Sequence, residues 1–247
     1  FPHSSIYVRT DRGIDAPADL KGKLVGLPNW NFTRGLVVKG MLQDDYGLRQ
    51  SDIRWRVGPV DAPNDSTYSV RATPPGVHIE DVAAGSHLSA ELADGRIDAI
   101  IDARAPRAFM DGAPKVGRLF QDFRPVEQEW YRRTGIFPTM HLVAVRIELL
   151  ERYPSLALGV CNAFQRSKES CRPALSDLDA LAVMLPWLVA ETEATERLMG
   201  NDYWPYGMPR NRRMIEAQTR WSFQQGLTER QLSAADLFAP GTLDWAP

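Results

Sequence analysis

The first hundred residues alternate between short apolar runs and segments of helical periodicity. Strands are predicted where apolar residues alternate or follow one another, and the most apolar run has the pattern of a parallel strand buried on both faces. These runs are SIYVRT, KLVGLP, IRWRVGPV and IDAIIDA. Helices are predicted at NFTRGLVVKGMLQDDYG and at SHLSAELADG, the second with Ser86 as its N-cap. This order of elements predicts an α/β fold.

The pattern changes in the second half of the chain. GRLFQDF and HLVAVRIELL still favour strands or extended segments. Beyond Glu148 the periodicity is helical, with breaks at Pro154, Pro186 and Gly200. We therefore expect the last third to be helical and to cover a sheet whose strands come from elsewhere.

Composition and charge exclude several classes of partner. The 247 residues are 44% apolar, enough for a full core, and carry 29 Lys and Arg against 31 Asp and Glu. Because there is no basic tract, nucleic acid is not expected as a partner. No apolar run approaches the roughly 20 residues that span a membrane, so no membrane segment is expected.

The two cysteines, Cys161 and Cys171, fall in one predicted helix. Ten residues along a helix correspond to about 15 Å, too far for a direct disulfide. Reduced thiols are typical of a cytoplasmic protein, and we expect a cytoplasmic location. Exposed Trp and Phe side chains in the helical part could form the surface of a homo-oligomer.

Two positions in the α/β part suit an anion. In the first, Asn31, Thr33 and Arg34 combine polar side chains with the free N–H groups of a helix N-terminus. Asn31 or Thr33 is equally well explained as an ordinary N-cap. The second is Arg104, directly after IDAIIDA, at the end of a parallel strand where open α/β sheets bind ligands. A solvated loop arginine is the alternative there.

Several motifs in fixed order give the chain a resemblance to a known family. They are SIYVRTDRGIDAPADLKGKLVGLP, DGRIDAIIDARAP, YRRTGIFPTMH, LPWLVAE, GNDYWPYG and LFAPGTLD. Together they resemble the 4,5-dihydroxyphthalate decarboxylase family over nearly the whole chain. The resemblance implies a fold like that of the type II periplasmic binding proteins, in which two α/β lobes are joined by hinge strands and the ligand lies between the lobes.

The same resemblance divides the chain into four parts. Residues 1–15 would form a hinge strand and turn, residues 16–106 the second α/β lobe, residues 107–145 a return segment and hinge, and residues 146–247 the helical remainder of the first lobe. Family members carry a further N-terminal segment that supplies much of the first lobe's sheet, and by this resemblance the segment would be missing here.

The family implies decarboxylation of a hydroxylated aromatic dicarboxylate such as 4,5-dihydroxyphthalate, to a dihydroxybenzoate and CO2. This reaction needs a proton for the ring carbon, a group that holds the second carboxylate, and control of the catechol hydroxyls. Relatives are also described as solute-binding proteins of ABC-type transporters for small anions. The alternative is therefore a non-catalytic receptor, which would be periplasmic and would have an export signal upstream.

His141, which opens the HLVAV run, is the predicted general acid or base, since the pKa of histidine lies near neutrality. A core or surface histidine is the alternative. Arginine binds carboxylates bidentately, so Arg104 and the loop that ends at Arg34 are the predicted carboxylate holders. Further candidates for substrate binding are Trp204, Tyr206, His3 and Ser4. Packing would explain the two aromatic residues equally well, and disorder is the default expectation so near the chain's first residue.

No cofactor or metal is expected. The four histidines have no HxH or HExxH spacing, and the chain has no GxGxxG after a strand, no P-loop and no GxSxG. The predicted partner is a small anionic aromatic substrate.

Overall fold

The computed structural model describes residues 1–63, 74–139 and 141–247. They fall into two compact units. The first consists of Phe1–Arg133 and Ala217–Leu232, and the second of Thr134–Glu216 and Ser233–Pro247. The four-part division expected from the resemblance stays a prediction.

The first unit is built on a six-stranded mixed sheet. Its strands are β1 (Ile6–Arg9), β2 (Leu24–Leu27), β3 (Arg54–Val57), β4 (His78–Asp81), β5 (Ala99–Ile101) and β6 (Val116–Arg118). They lie in the order β4-β3-β2-β5-β1-β6. The first four of this order run parallel, whereas β1 is antiparallel to both of its neighbours. The α/β class predicted from the sequence is confirmed.

Helices pack against this sheet and are connected to its strands. They are α1 (Thr33–Tyr46), α2 (Leu88–Ala93), α3 (Arg107–Met110) and α4 (Phe123–Thr134). α1 ends as predicted at Gly47, whose φ of +66° is the left-handed region that favours glycine. The N-cap of α2 is His87 rather than Ser86, because the His87 ring accepts the Ala90 N–H at 3.2 Å.

β1, β2 and β5 are buried on both faces, which the sequence predicted for β5 alone. Gly26 in β2 permits the close approach of α2, since a Cβ at this position would lie 2.8 Å from a methyl carbon of Leu88. The core of the first unit therefore extends through the sheet to the helices on its faces.

The chain beyond residue 146 is helical, as predicted. Its helices are α5 (Ile147–Arg152), α6 (Leu156–Cys171), α7 (Leu188–Met199), α8 (Met208–Gln224) and α9 (Ala234–Leu237). Cys161 and Cys171 lie on α6, and both are free thiols. Within the described ranges, no helix is both long and apolar enough to cross a bilayer.

The predicted strand at HLVAVR is wrong. Residues 141–146 have no regular secondary structure, and Leu142 and Val143 are 64% and 61% exposed. An apolar alternating run becomes a strand only when its backbone pairs with another strand. The second unit contains no strand among its described residues, so these residues have no partner there.

Candidate functional site

Five strand ends meet at one edge of the sheet. β2, β3 and β5 are parallel and end at this edge, and β1 begins there because Ile6 lies opposite Ile101. β6 also ends there, since Leu119 donates its N–H to the Ile6 carbonyl at 3.0 Å. We call the adjoining segments, residues 2–5, 28–34 and 102–105, the carboxyl edge.

The carboxyl edge contains the topological switch point of the sheet. β2 lies between β3, which follows it in the chain, and β5, to which the chain returns after β4. Open α/β sheets bind their ligands at such a point, outside the carboxyl ends of the strands. This makes the space between the ends of β2 and β5 the candidate site.

α1 begins at the carboxyl edge without a side-chain cap. Its N-cap is Phe32, so neither Asn31 nor Thr33 has the capping role that was the alternative for them. Asn31 is exposed and Thr33, the first helical residue, is half-buried. Among the described residues, the N–H groups of the first turn receive no cap from the N-cap side chain and can therefore bind an anion.

The loop before α1 is held by buried hydrogen bonds. The Trp30 carbonyl accepts a bond from Lys39 Nζ at 2.8 Å, and the Trp30 indole N–H donates to the Gln225 carbonyl at 3.0 Å. Lys39 Nζ also lies 3.3 Å from the centre of the Trp30 ring. Burial lowers the pKa of Lys39 well below its ordinary value. These contacts give the anion-binding loop a defined shape.

Arg34 points its guanidinium into the same region. One terminal nitrogen donates to the Phe1 carbonyl, whereas its buried Nε has no hydrogen-bond partner among the described residues. Burial lowers the pKa of Arg34, and the charges of Glu127 and Asp102 act in the opposite sense. A half-buried arginine with an unused N–H donor is well suited to a carboxylate.

Asp102 follows β5 directly and is 9% exposed. Its main-chain N–H donates to the Ser5 carbonyl at 3.1 Å, and its Oδ1 accepts the Ala103 N–H at 2.6 Å. Burial raises the pKa of Asp102. Arg104, two residues further on, is exposed, and its charge acts in the direction that lowers this pKa.

His3 and Ser4 lie in a short 3-10 helix, His3–Ser5, directly before β1. The His3 ring is fully buried, with ring centres of Phe120 and Trp130 at 5.0 and 5.8 Å, and neither of its nitrogens has a hydrogen-bond partner among the described residues. Burial lowers the pKa of His3 to about 4. Ser4 donates its main-chain N–H to Glu127 Oε1 at 2.9 Å.

The remaining predicted site residues belong to the second unit. His141 is exposed in the irregular segment before α5. The Trp204 ring packs edge-on against Phe137, with ring centres 4.9 Å apart, and Lys168 Nζ lies 4.8 Å from the centre of the Tyr206 ring. Both aromatic residues line a cavity of about 320 Å³ within this unit. The packing alternative for Trp204 and Tyr206 thus accounts for part of their contacts.

The carboxyl edge brings together most of the residues predicted from sequence: His3, Ser4, Asn31, Thr33, Arg34 and Arg104. Two acids were missed, Asp102 at this edge and Glu127 on α4, which contacts Ser4. Asp102 had a usable signal, because a polar residue directly after a buried parallel strand lies at the ligand end of the sheet. Glu127 had none, because its place depends on how α4 packs.

This arrangement can hold a small anion and exchange protons with it. Arg34 and the first turn of α1 supply positive charge and N–H donors, and Asp102 supplies a carboxyl group. No group of three or more His, Cys, Asp or Glu in the described part of the chain could hold a metal ion.

Comparison with known proteins gives two relatives of one kind, and no protein-family model matches. The chain is 39% identical to 4,5-dihydroxyphthalate decarboxylase of Comamonas testosteroni over 244 residues, which are 99% of this chain and 74% of that protein. It is 40% identical to 4,5-dihydroxyphthalate decarboxylase of Pseudomonas putida over 132 residues, 53% of this chain and 51% of that protein. Among solved structures, the periplasmic aliphatic sulphonate binding protein SsuA from Escherichia coli matches 96% of this chain and 69% of its own, with 12% identity and a TM-score of 0.41.

Proposed function

Because this chain belongs to the 4,5-dihydroxyphthalate decarboxylase family, we propose that it removes one carboxylate of 4,5-dihydroxyphthalate as CO2 and leaves a dihydroxybenzoate. The observation that carries the proposal is the 39% identity to a 4,5-dihydroxyphthalate decarboxylase across 99% of the chain. The chemistry of the carboxyl edge supports it, because the substrate is a small dianion and Arg34 with the first turn of α1 suits a carboxylate.

The carboxylate that stays on the ring binds to Arg34, to Thr33 and to the N–H groups at the start of α1. The unused Nε of Arg34 and its half-buried setting support this role, because a charged hydrogen bond gains strength where water is partly excluded. Asn31 and Arg104 are exposed at the same edge and contribute to the attraction of the dianion. The substrate contacts predicted for His3 and Ser4 stay predictions, and the His3 ring is fully buried.

The roles of three residues of the second unit stay predictions. His141 is the predicted general acid or base for the catechol hydroxyls, and Trp204 and Tyr206 are the predicted aromatic contacts. Each is tested by its own substitution. If His141→Ala leaves kcat unchanged, His141 has no part in the reaction.

The direct test measures CO2 release and the ultraviolet change when the purified protein, at its full natural length, is mixed with 4,5-dihydroxyphthalate. The Arg34→Lys variant keeps the charge but loses the planar fork, so KM should rise about tenfold or more, in line with the 1.5–3 kcal/mol of a charged hydrogen bond. Arg54→Lys is the matched control, because Arg54 is exposed at the opposite end of β3, and its KM should change less than about twofold.

Turnover with this pattern of KM values supports the decarboxylase and its carboxylate site. Saturable binding without CO2 release would instead identify a receptor for a transporter, which is the alternative function. Turnover with equal KM values in Arg34→Lys and the unmodified protein would remove Arg34 from the site but leave the activity in place.

A further inference from the structure

The proposed reaction requires a proton donor that the carboxylate holders do not provide. When CO2 leaves an aromatic ring, the ring carbon must receive a proton, and an arginine is a poor donor because it keeps its charge. The donor has to lie near the residue that anchors the other carboxylate. The candidates are His3 and Asp102 at the carboxyl edge and Glu127, which contacts Ser4 from α4.

Two of the three are otherwise engaged. His3 is fully buried between the rings of Phe120 and Trp130 and has no exposed surface to present to a ligand. Glu127 accepts the main-chain N–H of Ser4 at 2.9 Å and so holds the turn before β1 in place. Neither residue follows a strand at the switch point, because His3 lies before β1 and Glu127 lies on α4.

Asp102 has the position that the reaction needs. It is the first residue after β5, beside the switch point between β2 and β5, and its own charge acts on Arg34. Its backbone is fixed by the bond from its N–H to the Ser5 carbonyl, and its Oδ1 is oriented by the Ala103 N–H at 2.6 Å. The carboxyl group is therefore held in one orientation next to the anion-binding loop.

The groups around Asp102 decide its protonation. Burial has the largest effect and raises the pKa of Asp102, and the charge of Asp61 after β3 acts in the same direction. The N–H groups of Ala103 and Arg104 and the charge of Arg104 act in the opposite direction. The net effect raises the pKa of Asp102 and so shifts its equilibrium toward the neutral carboxylic acid, which is the form that can donate a proton.

We infer that Asp102 is the general acid that protonates the ring carbon from which CO2 departs. This rests on the proposed function. The Asp102 O–H bond breaks as a C–H bond forms at the ring carbon, and the electron pair of the ring–carboxylate bond returns to the ring as that bond breaks. CO2 leaves, and Asp102, now a carboxylate, takes a proton from solvent before the next turnover.

The decisive variant is Asp102→Asn. Its amide oxygen can still accept the Ala103 N–H, so the turn after β5 is kept, but it cannot donate a proton from a carboxyl group. We expect kcat to fall at least about 100-fold, the lower bound of general acid catalysis, with KM within about threefold of the unmodified protein. Circular dichroism and the thermal midpoint establish that the variant is folded.

A second variant separates catalysis from a structural role. Asp61→Asn keeps the acceptor for the Arg107 N–H, which Asp61 Oδ1 binds at 2.8 Å, but removes a charge that raises the pKa of Asp102. Because the acid form is the active one, kcat of the unmodified protein should fall as pH rises through the pKa of Asp102. In Asp61→Asn this fall should begin at lower pH, while the rate at acidic pH stays unchanged.

The two proposals fail in different ways. If the unmodified protein releases no CO2, the proposed function is wrong. If it does release CO2 and Asp102→Asn has an unchanged kcat, Asp102 only orders the turn after β5. An unmoved pH profile in Asp61→Asn would equally remove Asp102 as the acid.

Discussion

Burial determines the charge of individual side chains at the carboxyl edge. The pKa of His3 and that of Lys39 are lowered and the pKa of Asp102 is raised, in each case mainly by loss of solvation. All three shifts favour the neutral form. The fixed positive charge that faces a dianionic substrate is therefore left to the arginines, which remain protonated even when partly buried.

His3 should make the first unit sensitive to acid. Its pKa is about 4 in the folded protein and 6.5 when unfolded, so the unfolded chain binds more protons between these values. Stability is therefore complete above pH 6.5 and falls as pH decreases toward 4, by up to about 3 kcal/mol. Urea unfolding from pH 7.5 to 4.5 should show this loss, and His3→Phe, which fits the same aromatic surroundings, should lose less.

An exposed histidine provides the control for that comparison. His78 is 64% exposed in its side chain, so His78→Gln should follow the unmodified protein across the pH range. If His3→Phe also follows the unmodified protein, the buried imidazole does not contribute to the acid sensitivity.

At the scale of elements, the sequence predicted the helices and strands whose own apolar pattern is enough to determine their conformation. β1, β2, β5 and α1 lie within one layered core, and their residue patterns show it. β4 was missed because its HIED sequence has little apolar character and its pairing with β3 decides its conformation. The prediction of a strand at HLVAVR failed for the opposite reason, since an apolar segment without a partner strand does not form a strand.

The candidate site was likewise predictable only where the order of elements determines a residue's position. Arg104 shortly after β5 and Arg34 at the start of α1 occupy positions that follow from the order of elements. The burial of His3 did not, because Phe120 and Trp130 enclose it from more than a hundred residues away in the chain. Contacts of this range decide pKa values and cannot be read from local pattern.

Two helical glycines should respond in opposite ways to alanine. At Gly40 in α1, a Cβ would overlap the Trp221 indole, whose N–H donates a hydrogen bond to Asp44 Oδ2 at 2.9 Å. Gly159 in α6 has nothing within 4 Å of its Cβ position. Gly159→Ala should stabilise by up to about 1 kcal/mol through helix propensity, and Gly40→Ala should destabilise by about 1–3 kcal/mol through overpacking. Urea unfolding of the two variants measures both; stabilisation by Gly40→Ala would contradict the close packing of α1 on Trp221.

At the scale of the whole molecule, the two units differ in the apolar surface that each buries. The first has a continuous core through the sheet, with side chains such as Val25, Val37 and Trp55 fully buried. In the second, the buried Leu, Ile and Met side chains are Leu188, Met208, Met214 and Ile215. Large apolar side chains remain exposed there, including Leu178 at 78% and Trp187 at 72%. Resistance to local opening should be distributed just as unevenly.

Hydrogen exchange can test this through two helices of similar length. α1 has 14 residues and α6 has 16, so their lengths alone would give similar protection from exchange. α1 buries eight of its residues in the first unit, whereas α6 has none that is fully buried. Opening α1 exposes apolar surface to water, whereas opening α6 exposes little. After correction for intrinsic exchange rates, amides of α6 should therefore exchange at least about 100-fold faster than those of α1. This ratio corresponds to a difference of about 3 kcal/mol in the free energy of local opening. Equal protection of the two helices would mean that burial within each unit does not control local stability in this protein.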